Sequence, residues 1–154
     1  IINGICKVSD YYNLPVIFST HPRTRKKIDS LNLKINSIKF IKPLGFSDYV
    51  KLQTNAYVTL SDSGTLSEES AIMGFPAVSV RTSTERPEAI DYGSIVLGNI
   101  DEDSMIQSVQ IAINSQKKEK SQIPVEYQAT EVSSRIIRVI QSYTPVVKRE
   151  IWKH

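Results

Sequence analysis

Residues Ser61–Glu88 read SDSGTLSEESAIMGFPAVSVRTSTERPE, and this stretch decides the fold. Just before and into it, Ala56–Leu60 reads as a short apolar strand that runs into a Ser/Gly turn. The turn opens a helix, Thr65–Met73, with two acids, Glu68 and Glu69, near its start; Gly74 and Pro76 stop it. A second strand, Ala77–Val80, ends in Arg81 and leads to Thr84-Glu85-Arg86-Pro87-Glu88. A strand–turn–helix of this kind aims backbone N–H groups and the positive end of a helix dipole at one spot. An anion such as a phosphate sits at such a spot.

Outward from this stretch, apolar strands alternate with helical patterns. Upstream, Ile2–Tyr12 reads as the tail of a helix, with Ile2, Ile5 and Val8 at three-residue spacing. Pro15–Ser19 is a buried strand, Arg23–Leu31 a basic helix, Ser37–Ile41 a strand and Ser47–Asn55 a short helix. Downstream, Pro87 suits the first turn of a helix over Pro87–Tyr92, and Gly93 ends it before strand Ser94–Leu97. Asp101 is placed to cap a helix over Glu102–Ser115, in which Met105, Val109 and Ile113 recur every four residues. Gln116–Pro124 is a polar loop, and Glu131–Tyr143 is a last amphipathic helix with Val132, Ile136, Val139 and Ile140 on its apolar side. This alternation predicts an α/β fold: a Rossmann-like parallel sheet of five strands with helices on both faces, one domain over residues 1–154. In such folds ligands bind beyond the carboxyl ends of the strands, which is where the Ser/Gly turn lies.

Composition narrows the function. The chain has 154 residues, 40% hydrophobic and 23% charged, enough for one well-packed domain. Its net charge of +3 is too small to argue for nucleic acid, and the one dense basic run, His21–Lys27, has no interleaved aromatics. One cysteine, Cys6, excludes an internal disulfide and a cysteine-rich metal site, and His21 and His154 lie far apart in sequence. No metal or cofactor is expected. With no membrane-length apolar run and no signal peptide visible, the expected compartment is the cytoplasm. The chain starts at Ile1 in what reads as the middle of a helix, so a C-terminal domain of a longer protein is expected.

Each candidate residue carries a plainer alternative. Gly64 has no side chain to keep a ligand away from the backbone. Thr65 and Glu68 have capping-box spacing, in which the two side chains satisfy backbone donors at the helix start. Glu69 is not needed for that box; an acid one turn into the helix can grip two ribose hydroxyls, or simply suit the helix dipole. Arg81 and Arg86 are either solvated loop arginines or forks for phosphate oxygens. His21 follows a strand end and faces the same choice between structure and phosphate contact. Phe46 and Tyr49 are spaced for core packing or for flanking a base.

These residues, at this spacing, resemble the C-terminal domain of the UDP-N-acetylglucosamine 2-epimerase family. The family pattern stands here as Asp62-Ser63-Gly64, Glu68-Glu69, Gly74-Phe75-Pro76, Arg81 and Thr84-Glu85-Arg86-Pro87-Glu88, with His21-Pro22 after an early strand. The resemblance implies a GT-B-type architecture of two Rossmann-like domains, this chain being the nucleotide-holding one, and a homodimer. It implies that Ser63, Gly64 and Thr65 hold the diphosphate, Glu69 the ribose, Arg86 and His21 the phosphates, and that Tyr49 lies against the uracil. The implied reaction eliminates UDP across C1 and C2 of the sugar and adds it back with C2 inverted, in polysaccharide precursor synthesis. The carboxylates that move the C2 proton are then expected in the N-terminal domain. Two departures bear on the sugar: Thr65 where the family commonly has Gly, and Ser67 where it has Gln. The form Ser61-Asp62-Ser63-Gly64-Thr65, with the ending around Ser142–Trp152, looks more like the branch that forms UDP-N-acetyl-L-fucosamine. Two other readings stand beside this one: a GT-B-type glycosyltransferase using a UDP-sugar, and a nucleotide-binding module without chemistry.

Overall fold

The computed structural model describes residues 1–30, 35, 37–98, 101–118 and 122–153, and the side chains of all of these except 117 and 118. Helices and strands alternate as α1 (Ile2–Tyr12), β1 (Val16–Ser19), α2 (Pro22–Ser30), β2 (Ile38–Ile41), α3 (Phe46–Asn55), β3 (Thr59–Ser61) and α4 (Leu66–Met73). They continue as β4 (Ala77–Val80), α5 (Pro87–Asp91), β5 (Val96–Gly98) and α6 (Glu102–Lys118). A 3₁₀ turn (Val125–Tyr127), α7 (Val132–Val147) and a π-helical turn (Lys148–Trp152) follow. The chain divides into two compact units, Ile1–Pro124 and Val125–His154.

Every strand pairing is parallel, as the alternation requires. The hydrogen-bonded ladder, however, is in two pieces rather than the single five-stranded sheet expected: β1 with β2, and β3–β4–β5. Strand β3 is also shorter than its apolar run. Ala56 spends its N–H on the Gln53 carbonyl (3.3 Å), closing α3, so ladder pairing starts only at Thr59, whose N–H reaches the Pro76 carbonyl at 2.9 Å. Strand β3 is thus Thr59–Ser61, not Ala56–Leu60. One apolar core still spans both ladders: Ile38 of β2, Val78 and Val80 of β4, and Ile5, Val8, Met105 and Val109 of α1 and α6 cluster together, with Val16 and Phe18 of β1 against them.

All four residues of β4 are buried. Successive side chains of a strand point to opposite faces, so both faces of β4 are covered. Helix α6 packs on β4 and β5 and against α1, and α4 packs on β4. The α1–α6 approach is close enough that a Cβ at Gly4 would come within 2.9 Å of Met105 Sδ. Met105 is itself fully buried.

Local signals account for most boundaries. Asp101 accepts the Ser104 N–H at 2.9 Å, the cap expected of it. Gly74 takes the left-handed conformation (φ 70°) that ends α4. Pro87 occupies the first turn of α5. Helix α6 runs past Ser115 to Lys118, and α7 runs past Tyr143 to Val147 with Pro145 inside it. Leu31, expected to close α2, lies outside the described residues.

Candidate functional site

Within one parallel ladder the carboxyl ends of β3 and β4 share an edge, so the turn at 62–65 and the loop at 81–86 emerge side by side. Ser63 donates its N–H to Ser61 Oγ (3.0 Å), and its hydroxyl lies 3.0 Å from that of Thr65. Thr65 itself has helical dihedrals (φ −67°, ψ −15°) and makes no side-chain cap. The capping box that Thr65 and Glu68 could have formed is therefore absent, and both side chains are committed elsewhere. Among the described residues, no protein group accepts from the N–H of Gly64 or of Thr65. Both lie at the start of α4, where the helix dipole favours negative charge.

Two arginines come to this turn from the loop after β4. A Cβ placed on Gly64 would lie 3.9 Å from Arg81 Nη1, so the guanidinium stands over the glycine. Arg86 donates from Nε to Glu68 Oε1 at 2.6 Å and from Nη1 to the Glu85 carbonyl at 3.2 Å, while its own N–H is taken by Thr84 Oγ1 (3.1 Å). These bonds fold the loop back onto α4. Glu68 Oε2 is buried and has no partner among the described residues.

The second acid of α4 turns another way. Glu69 Oε2 accepts from Gln53 Nε2 at 2.6 Å, across to α3. Gln53 is 3% exposed, and its Oε1 has no hydrogen-bond partner among the described residues. Tyr49, one helical turn before Gln53, is partly buried. Burial, then the nearby charges of Glu69 and Asp62, push its hydroxyl above the ordinary tyrosine range, so it is neutral at pH 7. Phe46 is 79% exposed, which rules out the core-packing pair with Tyr49.

Beneath these groups Ser70 is fully buried, with its hydroxyl 2.7 Å from the carbonyls of both Phe75 and Ser94. Its single proton serves one carbonyl at a time and ties α4 to the starts of β4 and β5. His21 stands apart. It caps α2 through its carbonyl, which accepts the Arg25 N–H at 3.0 Å, and its Nδ1 accepts the Arg23 N–H at 3.3 Å. It is exposed and has no hydrogen bond to the other candidates.

The structure thus brings Ser63, Gly64, Thr65 and Arg86 together on the β3–β4 edge, sets Glu69 against Gln53 of α3 with its charge felt at Tyr49, and leaves His21 at the end of β1. Sequence reasoning passed over Gln53. Its signal was its place one turn after Tyr49 on the same helix face. Among the described residues no group of His, Cys, Asp and Glu could hold a metal ion, and no helix is long and apolar enough to cross a membrane.

Residues 1–141 match the protein family described as UDP-N-acetylglucosamine 2-epimerase. The UDP-N-acetylglucosamine 2-epimerase of Methanocaldococcus jannaschii is 33% identical over 145 residues, taking in 91% of this chain and 38% of that protein. A solved structure of UDP-N-acetylglucosamine 2-epimerase from Rickettsia bellii superposes with a TM-score of 0.85 at 34% identity, over 99% of this chain and 43% of the other. The M. jannaschii enzyme in complex with UDP-GlcNAc and UDP superposes with a TM-score of 0.80 at 31% identity, over 92% of this chain and 39% of the other. The architecture is the Rossmann-like, GT-B-type one of these proteins, with parallel strands and helices on both sides. The chain spans 38% to 43% of the length of these relatives.

Proposed function

Because the chain belongs to the UDP-N-acetylglucosamine 2-epimerase family, we propose that it holds the UDP moiety for an enzyme that inverts C2 of a UDP-N-acetylhexosamine. The observation that carries this reading is the convergence of Gly64, Arg81, Arg86 and the start of α4 on one strand edge. In the proposed reaction a base of the N-terminal domain takes the proton from C2, and the C2–H electron pair forms a C1–C2 double bond. UDP leaves with the electron pair of the C1–O bond, and a glycal-like intermediate remains. UDP then re-forms the bond at C1 while a proton is delivered to the opposite face of C2.

The site's chemistry suits a group that must leave and return. Charge grows on the departing diphosphate; the N–H groups of Gly64 and Thr65, the α4 dipole and Arg86 stabilise it without rearrangement. Ser63 and Thr65 add hydroxyl donors. Glu69 accepts from the ribose hydroxyls and retains UDP during the intermediate's lifetime, and Tyr49 packs against the uracil. His21 reaches the phosphates from the end of β1. The chain serves as one Rossmann-like nucleotide-binding domain over residues 1–154, the C-terminal half of the enzyme. The groups that move the C2 proton belong to an N-terminal domain of the same enzyme. The enzyme works without a cofactor as a cytoplasmic homodimer in polysaccharide precursor synthesis.

The form Ser61-Asp62-Ser63-Gly64-Thr65 and the ending Ser142–Trp152 favour a 6-deoxy sugar leading to UDP-N-acetyl-L-fucosamine over UDP-N-acetylglucosamine. Ser67 is buried beneath the turn and Thr65 is bonded to Ser63, so both shape the diphosphate cradle.

The test is incubation of the full-length protein with each UDP-sugar in heavy water and no acceptor. Deuterium at C2 and a C2 epimer support the proposal, and the faster of the two sugars identifies the substrate. Sugar transfer to an added acceptor with C2 hydrogen retained would point to a glycosyltransferase instead. Tight UDP binding with neither reaction would leave only a binding module.

A further inference from the structure

We infer that Gln53 is a positioning residue for the nucleotide: its buried amide holds one carboxylate oxygen of Glu69, so that Glu69 meets the ribose hydroxyls in one fixed orientation. The inference rests on the reading of Glu69 as the ribose-binding group and adds to it the residue that sets its geometry.

Gln53 is 3% exposed, and its Nε2 reaches Glu69 Oε2 at 2.6 Å. The reversed amide would set Oε1 against a carboxylate, acceptor to acceptor, so the donor end must face Glu69. That orientation leaves Oε1 buried without a partner among the described residues. A leucine or methionine fills similar space without an orphaned carbonyl, so packing alone does not account for an amide at this position. What the amide supplies is a directional grip on Glu69. A glutamate side chain is otherwise free to rotate, and fixing it before the ligand arrives removes an ordering cost from binding.

A positioning role makes a prediction that a merely structural role does not. Gln53→Met should weaken ligands in proportion to their use of the ribose hydroxyls. Titration calorimetry on the full-length protein with UDP and with 2′-deoxy-UDP measures this. The unsubstituted protein should prefer UDP by about tenfold or more, the worth of a charge-assisted hydrogen bond, and Gln53→Met should reduce that preference to roughly threefold or less. Gln53→Asn keeps an amide but withdraws it by a methylene, and should lose the preference likewise; it serves if the methionine variant does not fold, folding being checked by thermal denaturation. A folded variant that binds both ligands more weakly by one common factor, or that keeps the full preference, overturns the role of Gln53. No preference in the unsubstituted protein overturns the ribose reading of Glu69, and the positioning role with it.

Discussion

Two strand ends of this molecule carry residues of the same apparent promise, and the structure treats them differently. At the β3–β4 edge the side chains are cross-linked between elements: Arg86 to Glu68, Glu69 to Gln53, Arg81 over Gly64. At the end of β1, His21 is exposed and its hydrogen bonds stay within the first turn of its own helix. The difference is one of preorganisation. The first edge is already ordered before a ligand arrives, so its interactions count nearly in full toward binding, whereas His21 must give up solvent and rotamer freedom to contribute.

Arg86→Ala should break the comparison most sharply. A guanidinium on a diphosphate contributes about 1.5–3 kcal/mol, so UDP affinity should fall about tenfold to a hundredfold. The melting temperature should fall too, because Glu68 keeps a buried carboxylate oxygen with its cationic partner gone. An unchanged dissociation constant for UDP would remove Arg86 from the site. Ser70→Ala comes next and acts on the floor of the same edge. It leaves the carbonyls of Phe75 and Ser94 without their shared donor, a cost of about 1–2 kcal/mol in chemical denaturation. UDP affinity of the folded protein should change little, since Ser70 touches only backbone. A third substitution, Glu68→Gln, keeps the shape and removes the charge. The pair is 39% and 30% exposed, so the stability cost should stay below about 1 kcal/mol. UDP affinity should fall less than for Arg86→Ala, because the guanidinium remains and loses only its anchor.

The contrast also shows what was legible in the chain before folding. Signals local to an element were readable: Asp101 at its cap, Gly74 and Pro76 at the end of α4, Pro87 at the start of α5, and the alternation that gave a parallel α/β fold. The family motif named Ser63, Gly64, Thr65, Glu69 and Arg86 as one group, and the fold sets them near one edge. What could not be read was the choice between partners of similar chemistry. Thr65 and Glu68 had the spacing of a capping box; an arginine from the next loop, 18 residues away in sequence, took Glu68 instead. An ion pair, charged on both partners, outcompetes a carboxylate on a neutral backbone N–H here, but the competitor is visible only when the loop has folded. Gln53 was missed for the same reason, since its partner Glu69 is 16 residues distant. The extent of β3 was also misread, since the apolar run Ala56–Leu60 overstated it at its start.

The smallest effect belongs to His21, and it sharpens the comparison from the other side. His21→Ala removes a ring that is exposed and, among the described residues, bonded only to the Arg23 N–H at 3.3 Å. The α2 start survives, because the capping contact to Arg25 comes from the backbone carbonyl of residue 21, which alanine also has. The melting temperature should therefore fall only slightly, since the lost cap bond to the Arg23 N–H is long and exposed. If the ring reaches a phosphate in the complex, its gain is offset by the cost of ordering it, and UDP affinity should fall by no more than about threefold. A loss as large as that for Arg86→Ala would place His21 among the ordered groups and end the distinction between the two edges.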